Sequence, residues 1–395
     1  MTKKSALHLL FGVFLISLSA CGPGRKSTFS TDGLDVLYAP HYSTGFRIFS
    51  VGESSLLSVY DPWQGARGVE MQLFLSHGGE PAPDGFRGTT VNAPLKNVVC
   101  MSSSYIAFLY ELGETGAIKG VSGARYVTNE SIRERYAAGD VRDVGYDAHM
   151  NYELLAGLDT DLVLIYGISG ENSQLTGKLD ELGIKYLYIG DYVEQSPLGK
   201  AEWVVAFGEM FGKRTASEEI FNGISARYNE TKETVAEYNE FMEQVSGSGR
   251  VRKPVVMLNA PYRDTWYVPG DRSYMVRLIA DAGAAYACEG EDSDSSRPIS
   301  GESAYVFASK SDFWLNPGQA ATMNEVRSLN PKFADIPAVM KGNVYNCNAR
   351  TTPDGGSDFW ESGAVRPDVV LKDMAAIFYP GLFAGHELYY FRQMR

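Results

Sequence analysis

The stretch from Thr215 to Val245 limits the possible folds more than any other part of the chain. Apolar residues at Ile220, Phe221, Ile224, Tyr228, Val235, Tyr238, Phe241, Met242 and Val245 recur at three- and four-residue steps. That spacing puts them on one face of an α-helix, with an acidic, polar face opposite. Thr215 or Ser217, followed by Glu218-Glu219, supplies an N-cap with carboxylates near the positive end of the helix dipole. Ser246-Gly247-Ser248-Gly249 then stops the helix. At 1.5 Å per residue it is about 45 Å long, more than a compact domain usually contains. The sequence on both sides alternates between strand and helix patterns. The helix is therefore either a rigid spar between two α/β lobes or an amphipathic helix packed within one domain.

A chain of 395 residues, 44% hydrophobic, is large enough for two substantial cores. Its formal charge of −12, with no run of basic residues, argues against a nucleic-acid binder, because neutralising phosphates requires clustered Lys and Arg. The 24 tyrosines, 19 phenylalanines and 5 tryptophans suit an aromatic ligand cleft, although most such residues belong to cores.

The first residues set the compartment. Lys3 and Lys4 precede the apolar run Leu9 to Ile16, too short to span a bilayer but the right size for a secretory signal. Leu18-Ser19-Ala20-Cys21 follows, the pattern of a bacterial lipoprotein signal whose cleavage leaves Cys21 as a lipidated N-terminus. Residues 1–20 are read as the signal and 21–33 as a flexible lipidated tether. Of the other cysteines, Cys100, Cys288 and Cys347, the pairing to test in an exported protein is Cys288 with Cys347. His41, His77, His149 and His386 share no metal-ligand spacing, so no metal site is expected. The chain has no phosphate-binding Gly-Lys loop and no Gly-x-Ser-x-Gly elbow, since Gly301-Glu302-Ser303-Ala304-Tyr305 fails at its last position.

Along the chain, residues 34–96 read as a strand-rich lead-in, a hairpin and an edge strand of the first lobe, with Val36–Tyr38, Phe46–Phe49 and Val69–Leu75 as strands. From Asn97 short apolar strands alternate with helices, as in a mostly parallel sheet covered on both faces. The expected organisation is α/β: a first lobe over 34–196, a helical connector over 197–249 and a second lobe over 250–395. The lobes are Rossmann-like, with the ligand cleft between them.

The segment Val144-Gly145-Tyr146, continuing through Asn151-Tyr152-Glu153-Leu154-Leu155-Ala156-Gly157-Leu158-Asp159-Thr160-Asp161-Leu162-Val163-Leu164, resembles the signature of periplasmic binding proteins serving iron-siderophore, haem and cobalamin ABC importers. Thr160 stands where that family has proline. Leu182-Gly183-Ile184-Lys185-Tyr186, and Gly199-Lys200-Ala201-Glu202-Trp203 with Phe211-Gly212-Lys213, resemble the following pieces. The resemblance runs from about Asn97 to Pro380 and implies two lobes, a connecting helix, little hinge closure and neither catalytic residue nor resident cofactor. It further implies a periplasmic monomer, lipid-anchored at the outer face of the inner membrane, that delivers an iron-siderophore, haem or cobalamin to a permease. By position, Glu171 and Glu302 are the carboxylates that would dock on that permease.

Ligand is expected at loops following the carboxyl ends of strands. In the first lobe the candidates are Ser102, Ser103, Tyr105, Arg125, Tyr126, Tyr146 and Tyr166; in the second they are Arg263, Trp266, Tyr267, Arg272, Trp314, Arg350 and Trp360. Arginines would pair with anionic groups of a chelate and aromatics would lie on its flat faces. Trp266 is the foremost candidate. A secreted lipoprotein hydrolase and a surface haem or cobalamin scavenger without a permease are the alternatives.

Overall fold

The computed structural model describes residues 29–395 except 147–148, 169, 247–251, 263–264 and 330. The signal segment 1–20, the lipidation site Cys21, Arg263 and Gly247-Ser248-Gly249 of the helix stop lie outside the described residues, as do two positions in the 144–164 signature.

The lead-in forms a sheet of its own. Strands β1 (Val36–Tyr38), β2 (Phe46–Val51), β3 (Ser54–Tyr60), β4 (Glu70–Ser76) and β5 (Thr89–Asn92) lie in that order, antiparallel until β5 joins β4 in parallel. This corrects the expected hairpin and edge strand. Both faces are buried, which an edge strand does not require. Ile48, Leu57, Leu73 and Leu75 face the first-lobe core, while Phe49, Leu56 and Phe74 are covered by Phe29 and Phe86.

The first lobe is a parallel sheet in the order β10-β9-β6-β7-β8, with β6 (Val98–Cys100), β7 (Ile118–Val121), β8 (Arg142–Asp143), β9 (Leu162–Ile165) and β10 (Tyr186–Tyr188). Continuous apolar strands such as Leu162–Ile165 are what a sheet covered on both faces requires. Its helices are α1 (Ser103–Glu111), α2 (Glu130–Ala138), α3 (Tyr152–Ala156) and α4 (Ser173–Glu181). Helix α5 (Pro197–Met210) is buried nearly all round because it lies between the lead-in sheet and this lobe. Trp203 packs on Phe46 of β2 at 4.9 Å between ring centres, and Phe207 on Phe108 of α1 at 4.8 Å.

The expected long helix is α6 (Arg214–Val245). Phe221 and Ile224 belong to the first-lobe core, whereas Tyr228 and Val235, one turn and more further on, belong to the second. Polar ties follow the same division: Arg227 pairs with Asp368 at 2.7 Å, and Tyr228 and Lys232 reach Asp281 at 2.6 and 2.8 Å. Two details differ from expectation. The N-cap is Lys213 without a side-chain cap bond, because Ser217 is buried against α5 and donates to the Arg214 carbonyl. A Cβ on Gly208 would lie 2.0 Å from the Ser217 hydroxyl, so glycine is what lets the two helices approach there. The apolar face is also less covered beyond the contacts of Tyr379 with Tyr238 and Asn239: Phe241 and Val245 are each 58% exposed.

In the second lobe, β11 (Val255–Leu258), β14 (Ala285–Tyr286), β16 (Phe313–Leu315), β17 (Val344–Asn346) and β18 (Arg392–Gln393) form a sheet ordered β14-β11-β16-β17-β18, parallel except for β18. A small antiparallel sheet of β12 (Pro261–Tyr262), β13 (Thr265–Val268) and β15 (Arg297–Ile299) sits beside it. Helices α7 (Tyr274–Asp281), α8 (Gly301–Ala308), α9 (Met323–Leu329), α10 (Pro337–Met340) and α11 (Pro367–Phe378) complete the lobe. Cys288 and Cys347 are buried free thiols rather than a disulfide, and burial pushes them up to about 11 and about 12. Among the described residues no helix is long and apolar enough to cross a membrane.

Candidate binding cleft

A cleft of about 1300 Å³ lies between the lobes. Its first wall is built where the parallel strands of the first lobe end: Met101–Ser104 after β6, Ser122 and Gly123 after β7, Tyr146 after β8, Tyr166 and Ile168 after β9, and Asp191–Gln195 after β10. Open α/β sheets bind ligands at this edge, where strand ends expose backbone groups and helix starts together. The second lobe answers with Asn259 after β11, Asn316 after β16, Ser273–Met275 at the start of α7, and Phe359 and Trp360. Asn259 and Asn316 both have left-handed backbones, at φ 65° and 58°, a conformation that asparagine tolerates better than most residues.

A third wall comes from the lead-in sheet, through Thr44, Gly45 and the turn Tyr60–Ala66. Trp63 pairs its backbone with Gly167 and packs against the Tyr188 ring, 4.9 Å between centres and tilted by 60°. From the same turn Gln64 donates to the Ser295 hydroxyl of the second lobe at 3.2 Å, and beside it Gln195 donates to Asp294 at 3.1 Å. One mouth of the cleft is thus spanned by side chains from both lobes.

Ionisable groups in the walls are few and mostly engaged. Lys200 lies 3.9 Å from buried Asp191 and sits over the rings of Tyr192 and Tyr274 at 5.8 and 5.6 Å, one ring from each lobe. Burial raises the Asp191 carboxyl, against the pull of Lys200 and a hydrogen bond from Ser104. Burial also raises Glu194, which accepts from the Ser43 hydroxyl, from the Gly45 amide at 3.2 Å and from the Trp203 indole at 3.0 Å.

Behind Phe359 and Trp360 the lobes are pinned together. Glu361, 2% exposed, accepts the backbone N–H groups of Thr128 at 2.8 Å and Asn129 at 2.7 Å, at the start of α2. A Cβ on Gly356 would lie 1.9 Å from the Tyr126 carbonyl, so only glycine permits this approach. Desolvation pushes the Glu361 carboxyl up to about 7 despite those amide bonds, helped by the neighbouring Asp358.

Of the residues predicted from sequence, Ser102, Ser103, Tyr126, Tyr146, Tyr166 and Trp360 line the cleft. Others do not. Trp266 is 1% exposed, packed among Trp314 and Phe333, with its indole donating to the Leu258 carbonyl at 2.9 Å. Trp314 is likewise core, donating to the Asn259 carbonyl at 2.6 Å. Tyr105 is a buried pin whose hydroxyl donates to the Ile165 carbonyl at 3.1 Å. Tyr267, next to Trp266 on β13, alternates outward and is 47% exposed away from the cleft. Arg272 pairs with Asp292 at 2.8 Å, and Arg350 with Asp358 at 2.9 Å while lying over the Tyr389 ring. Arg125 lies over the Tyr126 ring at 4.7 Å and does not line the cleft. Sequence reasoning missed Tyr60, Trp63, Gln64, Lys200 and Tyr274. The available signal was Tyr60-Asp61-Pro62-Trp63-Gln64-Gly65, a turn that exposes aromatic residues between two strands.

Two α/β lobes that share a spanning helix and face each other across a cleft define a two-lobe solute-binding protein. The chain belongs to the periplasmic binding protein family, whose sequence pattern matches residues 98–351, leaving the lead-in sheet outside the match. It is 26% identical to an uncharacterized lipoprotein of Methanocaldococcus jannaschii over 79% of this chain and 71% of that protein. Its fold is similar to a periplasmic binding protein of Veillonella parvula, with TM-score 0.57 and 13% identity over 83% of this chain and 99% of the other. It is also similar to a periplasmic heme binding protein of Pseudomonas aeruginosa, with TM-score 0.55 and 17% identity over 76% and 98%.

Proposed function

We propose that this chain is the substrate-binding lipoprotein of an ABC importer, capturing a metal chelate (an iron-siderophore, haem or cobalamin) in the interlobe cleft. Lipidation at Cys21 would hold it as a monomer at the outer face of the inner membrane, where the permease receives the ligand. The observation that carries this reading is the size of the cleft, about 1300 Å³, together with aromatic side chains from three walls. A pocket of that size and lining suits a large flat ligand. Among the described residues lining it there is neither histidine nor cysteine to pair with its serines, which favours binding over the hydrolase alternative.

Intrinsic tryptophan fluorescence, titrated with cobalamin, hemin and ferric siderophores, tests the reading. Saturable one-to-one quenching by one of them is the expected result, and silence across all of them would sink it. Trp63→Ala should weaken that ligand about tenfold by removing one stacking face. Trp266→Phe should leave affinity alone and lower stability by about 1–2 kcal/mol, as a buried indole bond is lost. The opposite pattern would return Trp266 to the site.

Glu302 lies in the first turn of α8, exposed, its carboxyl held below the usual range by its own backbone amide, Ser300 and Lys332. Glu171 is also exposed, just before the Asn172 cap of α4. Each is offered to the permease as a docking carboxylate. Alanine at either position should leave ligand affinity unchanged and reduce delivery in reconstituted vesicles about tenfold. Uptake indifferent to both changes would favour a scavenger acting without a permease.

A further inference from the structure

The cleft is rich in π faces and poor in positive charge. Aromatic faces come from every wall, among them Trp63, Tyr166, Tyr274 and Trp360, and such faces accept a flat apolar surface or a cation. Lys200 is the one cation among the described residues lining it, and Asp191 and two tyrosine rings already surround it. The lining carboxylates are Asp61, Asp191, Glu194 and Asp294. Glu194 is turned onto Ser43, Gly45 and Trp203, and Asp191 is matched by Lys200. Asp61 and Asp294 have no partner cation among the described residues; their contacts are the Val69 amide for Asp61, and Ser295 and Gln195 for Asp294. Among the described arginines, Arg272 is engaged on Asp292 and Arg350 on Asp358, while Arg125 lies over the Tyr126 ring, outside the lining.

We propose that the cleft selects metal chelates of zero or positive net charge with a flat or apolar surface, and rejects polyanionic chelates. This rests on the reading of the cleft as the binding site. A trianion placed there would be repelled by two carboxylates without a described partner cation, Asp61 partly buried and Asp294 exposed, and the partly buried one is screened less than in bulk water. A neutral corrinoid or a cationic hydroxamate chelate meets no such opposition, and a porphyrin carrying free carboxylates falls between.

The test titrates the full-length chain, held in non-ionic detergent at fixed ionic strength, with cobalamin, a cationic ferric trihydroxamate, hemin and a ferric tricatecholate trianion. Cobalamin or the cationic chelate should bind at least about 100-fold more tightly than the trianion. The double variant Asp61→Asn with Asp294→Asn should narrow that gap about fivefold. Tightest binding by the trianion or by hemin would overturn the charge rule while leaving the cleft as the binding site. An unchanged gap in the double variant would overturn it too. Absence of saturable binding by every chelate would overturn the cleft reading, and the charge rule with it.

Discussion

Replacing Glu202 with alanine is expected to lower the free energy of unfolding by about 4 kcal/mol, read from the midpoint of a urea transition. Glu202 lies on α5, fully buried, and forms no ion pair among the described residues. Its carboxylate instead accepts the Tyr38 hydroxyl at 2.8 Å and the amides of His41 at 2.7 Å, Tyr42 at 2.8 Å and Ser43 at 2.7 Å. A buried anion is tolerable when donors of this kind converge on it. Alanine removes the acceptor and strands the donors, each costing about 1–3 kcal/mol less whatever water recovers. The effect should reach the cleft, because Thr44 and Gly45 follow directly in the same loop. Glu219→Ala, at an exposed position on α6, is the control and should change stability by less than about 0.5 kcal/mol. A loss below about 1 kcal/mol in Glu202→Ala would show that the loop is held by something else.

Stability should fall as pH rises from about 4.5 to about 7, and Glu361 should account for roughly 3 kcal/mol of that fall. The sign follows from proton counts. In the unfolded chain this carboxyl ionises near the ordinary value, 4.5, whereas burial keeps it protonated in the folded state up to about 7. Between those values the folded protein holds a proton that the unfolded one has lost, so raising the pH favours unfolding. Facing Glu361 are the Thr128 and Asn129 amides on the first-lobe side, and Asp358 with its partner Arg350 on its own side. Asp191 and Glu194, also raised by burial, add to the slope with the same sign. Glu361→Gln copies the neutral form and should flatten the dependence, measured as urea midpoints at pH 4.5 and 7.5. An identical slope in the variant would assign the titration to another group.

Local order decided what could be read from the letters. Phe221, Ile224, Tyr228 and Val235 repeat at helical spacing, and their burial on α6 follows from that spacing alone. Val36–Tyr38 became a strand with the bounds read for it, and the runs at Phe46 and Val69 became Phe46–Val51 and Glu70–Ser76. Pairing at a distance was invisible. The parallel union of β4 with β5 makes the lead-in a full sheet, and nothing local to Thr89–Asn92 announces it. Trp63 and Trp266 occur in similar settings, Asp-Pro-Trp-Gln for Trp63's turn and Thr-Trp-Tyr for Trp266's strand. Register settles them in opposite ways: Trp266 pairs with Ile299 and points into the core, while Trp63 closes a turn over the cleft. Arginines were the least legible, since a guanidinium's fate depends on which carboxylate folds beside it. Arg272 finds Asp292 and Arg350 finds Asp358, and each is thereby withdrawn from the ligand.

The Glu202 contacts also bear on the order in which the molecule comes into being. The loop they hold leaves the ribosome, and crosses an export channel, roughly 160 residues ahead of the carboxylate that its amides require. Until α5 arrives, the lead-in strands have neither that acceptor nor the Trp203 ring against which Phe46 packs. The segment made first is therefore completed late, with the apolar face around Phe46 uncovered in the interval. A chain in this state is a natural client for chaperones that shield exposed apolar surface.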